Sequence, residues 1–211
     1  NAVGHLAVTQ AMLPLLRASR GRIVNVTSVA GLFAGPMLGP YHASKWALEA
    51  MTDTLRMELA PWGIRVAAVE PGQIATPIWA TSVGRADAMA AAMPPEALTL
   101  YAAGIAGARS AAKRAERDGL DPERVAEAIA HALTSPRPRT RYLVGSDAKL
   151  IARVVRHLPD RARDRVLTAR RRRRISNPAT ALVSPGVSVT PARICSMRSV
   201  ARPWKTRFTT S

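Results

Sequence analysis

The sequence predicts an α/β fold in which helices pack on a parallel sheet, followed by a basic tail without regular period. Three observations carry this. Short β-rich apolar runs alternate with longer runs of helical spacing, as in strands joined by crossover helices. The two clearest runs, Ile23-Val24-Asn25-Val26 and Ile64-Arg65-Val66-Ala67-Ala68-Val69, each lead into small polar residues or a Pro-Gly turn. Charge is also segregated. Of a formal net charge of +17, Arg170, Arg171, Arg172, Arg173, Arg174, Arg193, Arg198, Arg202, Lys205 and Arg207 supply +10, and residues 169–211 hold no acid.

Residues 2–18 have helical spacing, with Leu6, Leu13 and Leu16 among the apolar positions, and stop near Ser19-Arg20-Gly21. Residues 23–26 form a strand, followed by a loop marked by Gly35, Pro36, Gly39 and Pro40. A long helix over 41–60 ends at Pro61 and Gly63, and its Leu48, Met51, Leu55 and Leu59 face a core or a subunit interface. Residues 64–69 are a second strand running into Pro71-Gly72. The stretch 77–119 is rich in Ala and Met, with Trp79, Met89, Met93 and Tyr101. Asp121 as N-cap and Pro122 in the first turn open a helix that runs through Leu133 and stops before Pro136. Residues 142–144 read as a last short strand, and 147–157 and 159–174 as two further helices. Beyond 177 the chain is rich in Ser, Thr and Pro without period and reads as disordered. The expected division is therefore a folded part, 1–168, and a basic tail, 169–211.

With 211 residues and 47% hydrophobic content, one domain with a core is possible. A single cysteine, Cys195, excludes an internal disulfide framework and fits a reducing compartment, so the expected location is cytoplasmic, with no signal peptide. No formal charge occurs from residue 23 to 44, yet Asn25, Thr27, Ser28 and repeated Gly and Pro exclude a membrane span there. No metal-ligand set is read from the sequence.

The chemistry-bearing motif is Tyr41-His42-Ala43-Ser44-Lys45, preceded by Ser28. Four residues is about one helical turn, which sets phenol and ammonium on one face. A free phenol, with a pKa of about 10, is a poor acid or base at neutral pH. A fixed positive charge nearby favours the phenolate. Making a phenol work near neutrality takes about 4 kcal/mol of such differential stabilisation. A Tyr/Lys pair is thus a route to a general acid/base. Ser28 is placed upstream to hold a substrate oxygen beside it.

The order of these motifs, from the strand ending in Thr27-Ser28 through the Tyr41/Lys45 helix to the strand ending in Pro71-Gly72, resembles the short-chain dehydrogenase/reductase family. The resemblance is close over residues 1–76 and looser over 121–145. It implies a doubly wound, Rossmann-like parallel sheet and an oxidoreductase moving a hydride between NAD or NADP and a hydroxyl or carbonyl group. Tyr41 would be the acid/base, and Lys45 would tune the phenol and bind the nicotinamide ribose. Ser28 would bond the substrate oxygen. Asn1 would hold a water linking the lysine to solvent. In Pro71-Gly72-Gln73-Ile74-Ala75-Thr76, the backbone of Ile74 and the hydroxyl of Thr76 would meet the carboxamide, although the same pattern also serves as a turn followed by a helix cap. The apolar 77–119 region would cover a lipophilic substrate. The ending resembles the branch of 17β-hydroxysteroid and retinol dehydrogenases, and a complete member is expected to be a homo-oligomer.

One departure stands out. The family's Gly-rich turn after the first strand, where helix N-terminal amides receive a pyrophosphate, is not in these 211 residues. Gly104-Ile105-Ala106-Gly107 follows no strand and reads as helix packing. The expectation is a chain lacking the first four strands: a fragment, a late-started gene model, or a catalytically incompetent relic. A further alternative is nucleic-acid binding through the arginine run, which would contact phosphates without reading sequence. No separate nucleic-acid-reading motif accompanies it, and Trp46, Trp62 and Trp79 do not interleave with it.

Overall fold

A computed structural model describes residues 2–175, with side chains over 2–168. Asn1 and the segment beyond 175, including the expected disordered tail, lie outside the described residues. In chain order the elements are α1 (Val3–Ser19), β1 (Arg22–Val26), α2 (Gly39–Glu58), β2 (Arg65–Pro71), α3 (Ile78–Ala91), α4 (Pro95–Asp118), α5 (Glu123–Thr134), β3 (Arg141–Val144), α6 (Ser146–Arg153) and α7 (Asp160–Ile175).

The three strands form one parallel sheet in the order β1-β2-β3. Arg22 lies opposite Arg65 and Val26 opposite Val69, while Val69 lies opposite Tyr142 and Pro71 opposite Val144. Central strand β2 is buried from Val66 to Glu70, as a strand covered on both faces must be. Alternate side chains feed different cores. Ile23 and Val66 join Leu59 and Ile64, with Leu13, Leu16 and Leu55 of α1 and α2 against them. Ala67, Val69, Tyr142 and Val144 pack with Ala132, Val125 and Ile129 of α5 on the other face. The helices therefore cover both sides of the sheet.

The expected elements appear with local corrections. α2 begins at Gly39, two residues earlier than expected, and closes at Glu58 before a 3-10 turn over Ala60–Trp62. Gly63 ends that turn at φ +71, a left-handed conformation that glycine adopts without penalty. Within the expected 77–119 block, Ala92, Met93 and Pro94 separate α3 from α4. Gly104 of α4 is buried, whereas a side chain at Gly107 would meet open space, so only the first of that pair packs. The Asp121 carboxylate accepts the Glu123 amide at 2.9 Å, with Pro122 as the residue directly before α5. The expected 147–157 helix stops at Arg153 and finishes as a 3-10 turn over Val155–His157. α7 runs across the expected 168/169 boundary.

A partly buried ionic cluster locks β2, β3 and α2 together. Arg141 donates to Glu49 at 2.5 Å, to Asp53 at 2.7 Å and to Glu70. Glu70 is 1% exposed. Its burial and then the neighbouring Glu49 carboxylate push it above the ordinary carboxylate value of 4.5, while Arg141 pulls it back. A carboxyl raised on folding holds its proton more tightly in the native state. Its contribution is therefore fully present below about pH 4.5 and is lost as pH rises through the raised value. Glu70→Gln is expected to flatten this decline, measured by denaturant unfolding from about pH 4 to about pH 8. Equal slopes in the two proteins would place the dependence elsewhere.

Candidate functional site

The carboxyl ends of β1 and β2 meet at one edge of the sheet, the edge where open α/β sheets bind ligands. Just past β1, Thr27 donates its amide and its hydroxyl to the Val69 carbonyl, at 2.8 and 3.1 Å. Ser28 follows. Its Oγ accepts the Ala30 amide at 3.1 Å, capping a 3-10 turn over Val29–Gly31, and donates to the Pro71 carbonyl at 3.4 Å. The turn lies hard against α2 because Gly31 has no side chain: a Cβ there would strike the Glu49 side chain and approach the Lys45 carbonyl to 3.0 Å. Ser28 is thereby held to the helix that carries Tyr41 and Lys45.

Tyr41 and Lys45 stand one turn apart on α2. The Lys45 ammonium lies 6.0 Å from the Tyr41 ring centroid and donates to the Val26 carbonyl at 3.3 Å, which anchors it to the end of β1. Burial holds this ammonium below the ordinary lysine value, while Glu49, one further turn along, acts in the opposite direction. Tyr41 is 37% exposed, and among the described residues its hydroxyl has no hydrogen-bond partner. A solvent-facing phenol beside a half-buried ammonium is an arrangement suited to proton transfer.

His42 was not anticipated from the sequence. It is buried, its Nδ1 lies 2.9 Å from the Ala30 carbonyl, and its ring meets Phe33 and Tyr41 edge-on at 5.0 and 6.2 Å. It ties the start of α2 to the turn that Ser28 caps. Trp46 adds a second tie through its indole, which donates to the Phe33 carbonyl at 3.1 Å.

The segment after β2 supplies the remaining candidates. The Gly72 amide donates to the Val144 carbonyl at 2.9 Å, Gln73 to the Asp147 carboxylate at 2.8 Å, and Ala75 to the Leu120 carbonyl at 2.9 Å. The Ile74 carbonyl accepts the Trp79 indole at 2.6 Å. Among the described residues the Ile74 amide has no partner. Thr76 is half-buried just before α3.

Ser28, Tyr41, Lys45, Pro71, Gly72, Ile74 and Thr76 thus lie on the turn, helix and loop gathered at this edge, whereas Asn1 is outside the described residues. His42, Trp79 and Asp147 belong to the same framework and were missed. Their partners are backbone groups, for which a sequence carries no signal until the chain is folded. Among the described residues no cluster of three metal-ligating side chains occurs, and no helix is long and apolar enough to cross a membrane.

Comparison with known proteins finds relatives of this chain in sequence and fold. The family model for short chain dehydrogenases matches residues 1–86. Over 173 residues the chain is 40% identical to retinol dehydrogenase 5 of Mus musculus, covering 80% of this chain and 54% of that protein. It is 35% identical over 175 residues to 17-beta-hydroxysteroid dehydrogenase type 6 of Homo sapiens, with 80% and 54% covered. A solved short chain dehydrogenase from Burkholderia cenocepacia J2315, in complex with NADP, matches with a TM-score of 0.52 at 26% identity, covering 80% of this chain and 56% of that one. The chain spans about half the length of these curated relatives.

Proposed function

The chain belongs to the short-chain dehydrogenase/reductase family, and from that premise we propose that it contains the proton-transfer machinery of an NAD- or NADP-linked oxidoreductase acting on a hydroxyl or carbonyl group of a lipophilic small molecule. The observation that carries the proposal is the Tyr41 phenol beside the Lys45 ammonium at the carboxyl edge of the sheet, with Ser28 held against the same helix.

The groups present fit a nicotinamide dinucleotide. Lys45 has three donors and, among the described residues, a single protein acceptor, Val26, which leaves it able to bond ribose hydroxyls. The unpartnered Ile74 amide suits a carboxamide oxygen, with the Thr76 hydroxyl nearby in sequence. Pro71 and Gly72 form the turn that delivers them. Bound there, the dinucleotide would supply or accept the hydride.

The remaining work falls to the chain's own side chains. The Ser28 hydroxyl orients the substrate oxygen. Tyr41 gives its phenolic proton to that oxygen in reduction and takes it back in oxidation. Lys45 stabilises negative charge on the phenol oxygen in the intervening state. Asn1 is assigned the water that restores the proton. Exposed Ile78, Met89, Leu100 and Tyr101 on α3 and α4 support a lipophilic substrate. The lone Cys195 supports a reducing, cytoplasmic setting.

Lys45→Ala tests the double duty of the lysine. It is expected to raise the cofactor KM and lower kcat together, because one ammonium serves both ribose and phenol. Steady-state kinetics on turnover-competent protein with NADH and NADPH measures both. An unchanged cofactor KM would remove the ribose role.

A further inference from the structure

Within Gly72-Gln73-Ile74-Ala75, every amide except that of Ile74 is tied down. Gly72 bonds Val144, Gln73 bonds Asp147 and Ala75 bonds Leu120, while the Gln73 carbonyl accepts the Leu120 amide at 2.9 Å. Gln73 is therefore held on both sides of its own Cα, and the direction of the next amide, Ile74, follows from that hold. Only one of these restraints comes from a side chain: Asp147, on the first turn of α6.

The Asp147 carboxylate has a shaped seat. A Cβ at Gly72 would collide with both of its oxygens, and one at Gly145 would collide with Oδ1. Gly145 also sits at φ +109, where an L side chain is strained. Two glycines on different connections, one after β2 and one after β3, thus leave room for one carboxyl group. An acid serving only the amino end of α6 would require neither gap.

We propose that Asp147 is a positioning residue that fixes the Gln73 amide and so directs the free Ile74 amide toward the carboxamide of the cofactor. The proposal deepens the oxidoreductase reading above and rests on it. The carboxylate touches neither substrate nor cofactor. It acts through the Gln73 peptide, with a charge-assisted hydrogen bond of the kind that outlasts neutral ones.

Two readouts on the 211-residue chain test this without turnover. In amide hydrogen exchange followed by NMR, Asp147→Ala is expected to speed exchange at Gln73 at least about tenfold, the signature of a lost local restraint. Asp147→Asn keeps an acceptor oxygen of the same reach and is expected to stay within about threefold of the native rate. Nicotinamide itself is the second probe: it should shift the Ile74 amide resonance in the native chain, lose that shift in Asp147→Ala and regain it in Asp147→Asn. Should Asp147→Ala fail to fold, Gly72→Ala evicts the carboxylate while leaving it in the chain, and the same two changes are expected. Unchanged Gln73 exchange in the variant overturns the hold. Faster exchange with an undiminished Ile74 response overturns the positioning role. A native Ile74 amide that ignores nicotinamide removes the carboxamide reading of the loop, and the positioning role with it, while the exchange data still report whether Asp147 holds Gln73.

Discussion

Tyr41→Phe is expected to lower kcat for carbonyl reduction by about two to four orders of magnitude, the contribution of a positioned general acid. The cofactor KM should stay within about threefold, because the ring is kept and only the proton is lost. The structure makes this substitution unusually clean. The hydroxyl has no partner among the described residues and the side chain is 37% exposed, so no fold-stabilising hydrogen bond disappears with it. The edge contact of the ring with His42, at 6.2 Å between centroids, survives. Unfolding free energy should therefore move by less than about 0.5 kcal/mol. A Phe variant retaining more than about a tenth of native kcat would contradict the acid/base assignment.

The largest loss of stability is expected at Arg141. Arg141→Met removes the one cation that Glu49 and Glu70 share, leaving carboxylates 8% and 1% exposed facing each other. Stripping one partner from a buried ionic group costs about 3 to 5 kcal/mol, and the 33% exposure of the Arg141 side chain places the expected value near about 3 kcal/mol. Among the described residues Glu49 Oε1 already lacks a partner. Adding Glu70→Gln to the variant should recover part of the loss by removing one of the opposed charges. Urea unfolding of the native, single and double variants measures this directly. A midpoint unchanged in Arg141→Met would show that the cluster contributes nothing to stability.

Much of the scaffold was legible because it is written in local pattern. Pro61 and Gly63 mark the end of α2, the alternation of apolar runs locates all three strands, and Asp121-Pro122 announces α5. The Tyr41/Lys45 pair was legible for the same reason, since its geometry depends on helical pitch alone. The break between α3 and α4 is marked by Pro94-Pro95, a breaker and helix-start signal that was passed over within the Ala-rich block. The Arg141 cluster escaped notice for a different reason. Its members, Glu49, Asp53, Glu70 and Arg141, are brought together by the pairing of β2 with β3 and the packing of α2 on β2, across up to 92 residues, and each alone looks like an ordinary surface charge. Likewise nothing beside Asp147 in sequence reveals that two glycines, one of them 75 residues earlier, are shaped around it.

The bond from the Trp79 indole to the Ile74 carbonyl bears on how the parts of the site communicate. Trp79 is the second residue of α3, and α3 is joined to α4 by the Arg109–Asp87 ion pair at 2.6 Å. The apolar helical hairpin and the loop after β2 are thus linked in series, so a swing of α3 must drag Ile74 or break its tether. If packing of an apolar molecule against α3 changes the affinity for a dinucleotide at the Ile74 amide, thermodynamic linkage requires the dinucleotide to change the affinity for that molecule by the same factor.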